Sequence, residues 1–249
     1  MPLCDADRMA QEGLLEEGSG LDCYLFARQV PGADVHALQR RVLLVGRGRD
    51  CMYFARDIPG ADLRALQRRV CEIGTGGDCL RFALQVPGVD PVPLSRRAAS
   101  AGNATECIAF ARRVHGADLG RLEDRVVEVG DAGDCYHFAL AVEAADRGRL
   151  QYHVLRSGSV ADWLAFARDV PGADVDAFQR RLIGRADAEH LRRFAIEVPG
   201  ADVRALQDEM LRFAGTKEIE AFAYVPGADF GNVSTLASRL DGPDGVMRV

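Results

Sequence analysis

Lysine is almost missing from this chain. Lys217 is the only one, so the rest of its 31 basic residues are arginine. Arginine suits bidentate recognition of carboxylate or phosphate, although a GC-rich coding bias gives the same composition. The formal net charge is −6, which argues against a protein that coats nucleic acid non-specifically. No apolar run reaches membrane-spanning length, and the opening Met1-Pro-Leu-Cys-Asp-Ala-Asp has neither the basic nor the apolar part of a signal peptide. The expected location is cytoplasmic, with no membrane partner. No Cys-x-x-Cys pair suggests zinc, and the five histidines fall at unrelated places with no carboxylate at ligand spacing. A G-x-S-x-G elbow, a P-loop and a strand-borne G-x-G-x-x-G are all lacking. The expectation is therefore no metal, no cofactor, no catalytic residue and no enzymatic activity.

What the chain does have is a period. A Phe-Ala dipeptide begins at Phe26, Phe54, Phe82, Phe110, Phe138, Phe166, Phe194 and Phe222, each 28 residues after the last. After it the consensus runs Val-Pro-Gly-Ala-Asp, then Ala-Leu-Gln-Arg-Arg-Val, then Gly. Phe166 to Leu182 is a clear copy. The organisation expected over 1–249 is one elongated helical repeat domain: a worn half-copy as cap over 1–20, seven repeats over 21–216, and a variant repeat with cap over 217–249. Atypical end copies are what a stacked array needs.

One copy, Arg49 to Gly76, shows the local logic. Cys51, Phe54, Ala55 and Ile58 fall at i, i+3, i+4 and i+7, one face of a helix. Asp50 is expected to be its N-cap. Pro59-Gly60 ends it. Asp62 is then the N-cap of a second helix that buries Leu63, Leu66 and Val70, with Ile73 extending the stripe and Gly74 closing it. An Asp stands at the matching place in every copy, and capping explains that column better than a metal or an acid catalyst does. Each helix is only about ten residues, too short to stand alone in water, so stacked neighbours must complete the core.

The cysteine column follows the same logic. Cys23, Cys51, Cys79, Cys107 and Cys135 share one position, where other copies carry Trp163, Leu191 and Ile219. The slot wants an apolar residue, and reduced Cys serves as one. Equivalent sites on packed helices lie roughly 10 Å apart, too far for a disulfide.

Three polar columns remain. The Arg-Arg pairs put Arg40, Arg68, Arg96 and Arg180 outward on the second helices, with Tyr152 among the residues interrupting the row. Arg28, Arg56, Arg112 and Arg168 form an exposed row on the first helices. These nine are the candidate partner-binding residues, against the alternative of a solvated face that pairs with nearby acids. The third column is Gln39, Gln67, Gln151, Gln179 and Gln207, placed to hydrogen-bond a neighbouring turn or unit; reading bases is the alternative.

The paired short helices resemble, in architecture, the armadillo, HEAT and tetratricopeptide arrays. The unit is shorter than theirs and lacks the tetratricopeptide and ankyrin signatures. The run Phe166-Ala-Arg-Asp-Val-Pro-Gly-Ala-Asp174 is also similar to repeats of uncharacterised bacterial proteins. The resemblance implies an all-α, right-handed solenoid of about eight two-helix units and recognition of a protein or peptide along an extended surface. RNA or DNA binding through the arginine column is the runner-up expectation, and self-association of a purely structural array the third.

Overall fold

The computed structural model describes residues 3–229. Among the described residues there are sixteen α-helices and no strand. They group into two compact units. The first runs to Gly130 and takes in Ala141–Ala145; the second holds Asp131–Leu140 and the chain from Asp146 onward. Of the expected C-terminal cap over 217–249, residues 230–249 lie outside the described residues.

The first unit contains α1 (Asp5–Glu17), α2 (Gly20–Gln29), α3 (Val35–Val45), α4 (Gly48–Asp57), α5 (Leu63–Ile73), α6 (Gly76–Gln85), α7 (Pro91–Ala101), α8 (Ala104–Arg113) and α9 (Leu119–Val129). Each even helix packs on the odd helix that follows it, and each also packs on the next even helix: α2 on α4, α4 on α6, α6 on α8. The odd helices do likewise, α1 to α3, α3 to α5, α5 to α7 and α7 to α9. The second unit contains α10 (Ala132–Ala141) up to Leu140, α11 (Arg147–Ser157), α12 (Val160–Asp169), α13 (Val175–Leu182), α14 (Ala188–Glu197), α15 (Val203–Phe213) and α16 (Thr216–Phe222). There α12 packs on α13 and α14, and α14 on α15 and α16.

Capping decides where these helices start. Asp34, Asp62, Asp90, Asp118, Asp146, Asp174 and Asp202 are the N-caps of the seven odd helices from α3 to α15, each carboxylate accepting backbone N–H bonds from the first turn. Asp229 precedes residues outside the described range. The even helices start differently from expectation. Asp50 is not the N-cap of α4; it is the third helical residue, and its carboxylate accepts the backbone N–H of Arg47 at 2.8 Å. The helix therefore begins three residues earlier, with Arg47 at the N-cap. Ser19 with Asp22, Thr75 with Asp78, Asn103 with Glu106 and Ser159 with Asp162 are full reciprocal capping boxes.

The turns follow the sequence more directly. After α4 the chain reverses through Pro59-Gly60, with Gly60 at φ +81°, a conformation that a side chain resists. Where Glu143-Ala144 replaces Pro-Gly, the left-handed turn is lost as well. Pro91 and Pro93 sit in the first turn of α7, where backbone donors have no helical partner to lose.

The core is the two apolar stripes. Phe54, Phe82, Phe110, Phe138, Phe166, Phe194 and Phe222 are fully buried, as are Leu38, Leu66, Leu94, Leu122, Leu150 and Leu206 of the odd helices. Burying one such side chain contributes about 1.5–3 kcal/mol. The ends of the stripe depart from expectation: Phe26 and Leu63 are only half-buried, and Ile73 is exposed, because it lies in the last turn of α5 beyond the next helix's reach.

Candidate interaction surface

Within each unit, successive odd helices are tied together through the backbone. The glutamines reach forward. Gln39 Nε2 donates to the Asp62 carbonyl at 3.1 Å, and the Asp62 N–H donates back to Gln39 Oε1 at 2.8 Å. The same two-way clamp joins Gln67 to Asp90, Gln179 to Asp202 and Gln207 to Asp229. Gln151 Oε1 accepts from the Asp174 N–H, Gln11 Oε1 from Asp34, and Ser95 Oγ from Asp118, each at 2.8–2.9 Å. Gln39 and Gln179 are buried, so these amides belong to the interior. The glutamine column thus bonds to a neighbouring turn, the first of its two expectations.

Three arginines one place beyond the outward row of the odd helices reach backward. Arg41 Nε donates to the Gly18 carbonyl at 3.0 Å, Arg97 Nε to Gly74 at 2.9 Å and Arg125 Nε to Gly102 at 3.0 Å. Each guanidinium closes the C-terminus of the preceding odd helix, where carbonyls lack partners and a cation is favoured. In the second unit α13 stops early, with Gly184 at φ +78° in the turn that follows. The turn there presents an N–H instead of a carbonyl, and the residue at the arginine position is Glu209, whose carboxylate accepts from the Gly184 N–H at 2.8 Å.

The cysteine slot makes a polar contact that apolar patterning does not reveal. Trp163 Nε1 donates to the Val154 carbonyl at 3.0 Å, nine residues back, and the thiols of Cys23 and Cys107 point at the equivalent carbonyls of Leu14 and Ala98. All seven cysteines are free thiols. Burial pushes Cys51 and Cys79 up to about 12 and Cys107 up to about 11, so none of these three offers a thiolate at neutral pH.

On the even-helix side several arginines are engaged. Tyr24 donates to Asp57 at 2.7 Å, Arg56 grips both oxygens of Asp57 at 2.7 and 2.8 Å, and the same guanidinium donates to Gln85 at 2.8 Å. Arg28 donates to the Tyr24 hydroxyl at 3.0 Å, and Arg56 also lies over the Tyr53 ring. In the second unit Tyr136, Asp169, Arg168 and Glu197 repeat the arrangement, with Arg168 to Glu197 at 2.7 Å. The paired guanidinium, followed by the tyrosine hydroxyl, holds each aspartate down at about 2. Of the nine candidate residues, Arg56 and Arg168 are thus engaged in linking helices, and Arg28 is bonded within α2 to the tyrosine that does the same. Arg96 pairs with the Asp118 carboxylate at 2.8 Å. Arg40, Arg68, Arg112, Arg180 and Tyr152 are exposed and make no hydrogen bond or ion pair among the described residues.

Compared with known proteins, this chain matches no protein family, no curated protein and no solved structure. The surface must therefore be read from its own chemistry.

Between successive odd helices lie open grooves. In the first unit one of about 890 Å³ separates α5 from α7, with Arg64, Arg68, Cys71 and Pro93 on its walls, and one of about 530 Å³ separates α7 from α9. In the second unit a groove of about 420 Å³ between α11 and α13 is bordered by Tyr152 and Arg180. Charge divides along the same line. The odd helices α3, α5 and α7 carry seven arginines and one carboxylate, Glu72, whereas α2, α4 and α6 carry four arginines and four aspartates. No helix among the described residues is long and apolar enough to cross a membrane.

Proposed function

We propose that the chain is a non-enzymatic interaction scaffold that binds a protein or peptide along its odd helices. One observation carries this reading. The glutamines of those helices, with Arg41, Arg97 and Arg125, are engaged in backbone bonds to neighbouring elements, while the outward residues Arg40, Arg68, Arg180 and Tyr152 are left exposed with no partner of their own. Exposed arginine and tyrosine on a fixed scaffold are the residue types that anchor interfaces. The recurrence of the same caps, clamps and buried positions supports a right-handed α-solenoid of 28-residue units as the scaffold. Thiols that serve as interior donors suit a cytoplasmic setting, where cysteine stays reduced.

Binding to RNA or DNA is the second reading, favoured by the arginine excess on α3, α5 and α7. A pull-down from nuclease-treated extract separates the two. The chain should retain a discrete protein. Joint replacement Arg40→Ser, Arg68→Ser, Arg180→Ser and Tyr152→Ala should release it, while Arg49→Ser on α4 should not. Retention by the quadruple variant, or capture only when nucleic acid is left intact, would overturn the reading.

A further inference from the structure

Resting on that reading, we infer that the occupant of the surface formed by α3, α5 and α7 is an extended acidic peptide segment with carboxylates at about every third residue. Three features point there. Its cations outnumber its acids and are unpaired: α3, α5 and α7 hold seven arginines against Glu72 and the N-cap carboxylates Asp34, Asp62 and Asp90, and Arg40, Arg64 and Arg68 stand exposed without a partner. Its spacing is regular. Arg40, Arg68 and Arg96 occupy equivalent places on three consecutive packed helices, whose axes lie about 10 Å apart. A chain in the polyproline II conformation has three residues per turn and rises about 3.1 Å per residue, so every third side chain points the same way and meets the next helix. The third feature is the lining of the groove between α5 and α7, where Asp62, Glu72 and Asp90 stand among Arg64 and Arg68. A closely spaced run of phosphates would be repelled there, whereas separated carboxylates can reach each guanidinium and leave neutral residues over the acids. Arg96, already bonded to Asp118, marks the far border of the site.

The test uses the full-length chain and a labelled peptide of about a dozen residues, enough to cross three helices, with glutamate at every third position and serine or glycine between. Its controls are a peptide of the same composition with the glutamates in one block, and a single-stranded RNA of equal charge. By fluorescence anisotropy the spaced peptide should bind several-fold tighter than the block peptide. The double variant Arg64→Ser, Arg68→Ser should weaken it about tenfold, two exposed ion pairs being lost. Both positions are exposed, and unchanged circular dichroism would show that the variant still folds. Equal binding of the two peptides, equal affinity of variant and parent, or tighter binding of the RNA would overturn the inference. Capture of a protein that the quadruple variant releases, without any binding of the spaced peptide, would sink the inference alone and leave the scaffold reading standing.

Discussion

At the scale of single residues, the glutamines are the joints. A surface glutamine is replaceable, but Gln39 and Gln179 are buried and each satisfies both an N–H and a carbonyl of the next N-cap aspartate. Replacing Gln179 by alanine leaves those two backbone groups without partners, and should cost about 1–3 kcal/mol in urea unfolding. Gln67→Ala, at a more exposed joint, should cost less than Gln179→Ala. The thiols divide in the same way. Under native conditions an alkylating reagent should modify Cys4 first, because it is exposed, and Cys71 more slowly. The buried five should react only once the chain is unfolded, as mass spectrometry of the alkylated protein would show. The glutamine contacts were open to sequence reading because the column sits beside the apolar stripe. The thiol and indole bonds were not: they depend on which way a buried group points, and cysteine, leucine and isoleucine share the slot without distinction.

At the scale of elements, the odd helices were legible and the starts of the even helices less so. Aspartate directly before an apolar run reads correctly as the N-cap of α3 through α15. The same rule applied to Asp50 fails, because a carboxylate at the third helical residue also precedes the apolar stripe. The distinguishing signal was present three residues upstream, in Ser19, Thr75, Asn103 and Ser159. A second signal lay in co-occurrence within the chain itself. Tyrosine follows the cysteine slot only at Tyr24 and Tyr136, and an aspartate stands 33 residues later in both cases, Asp57 and Asp169. Where Met52, Leu80, Ile108 or Leu164 takes the tyrosine position, the later residue is Gln85, Arg113, Ala141 or Glu197. The pair therefore travels together as one hydrogen-bonded contact between successive even helices. Glu209 is the matching case among the odd helices. Glu209→Ala should destabilise the second unit by about 1–3 kcal/mol, since a bond from the shortened α13 is lost. Glu209→Arg should be worse than alanine, because it sets a donor against a donor; thermal melts of the two variants would check the order.

At the scale of the whole molecule, titration should bound stability on both sides. The depressed carboxylates bind protons less readily when folded than when unfolded: Asp57 and Asp169 at about 2, with Asp22, Asp78, Asp118, Asp187 and Glu197 also lowered. Their contribution is present above the ordinary carboxylate range and lost as pH falls from about 4 toward 2. The buried thiols act in the opposite direction. Cys51 and Cys79 stay protonated up to about 12 when folded, against 9.0 for an unperturbed thiol, so their contribution is complete below 9.0 and lost as pH climbs toward 12. The melting temperature should therefore be level through neutrality and fall on both flanks. Asp57→Asn should lower the melting temperature at neutral pH, and the gap from the parent should narrow as pH falls toward 2, where the parent's aspartate is about half protonated. The folded architecture was largely visible in the spacing of Phe, Leu and Pro-Gly. The division of the arginines was not, because Arg28, Arg56 and Arg168 look as unoccupied as Arg40 and Arg68 until the residues facing them are known.

The forward clamp has one more consequence. Each glutamine grips main-chain atoms, which every amino acid possesses, instead of a particular side group on its successor. Even the last clamp, from Gln207 to Asp229, forms across a span one residue shorter than the others. Cassettes joined in this manner can be duplicated, deleted or exchanged by recombination without matching substitutions at the seam, leaving selection free to diversify the outward positions alone.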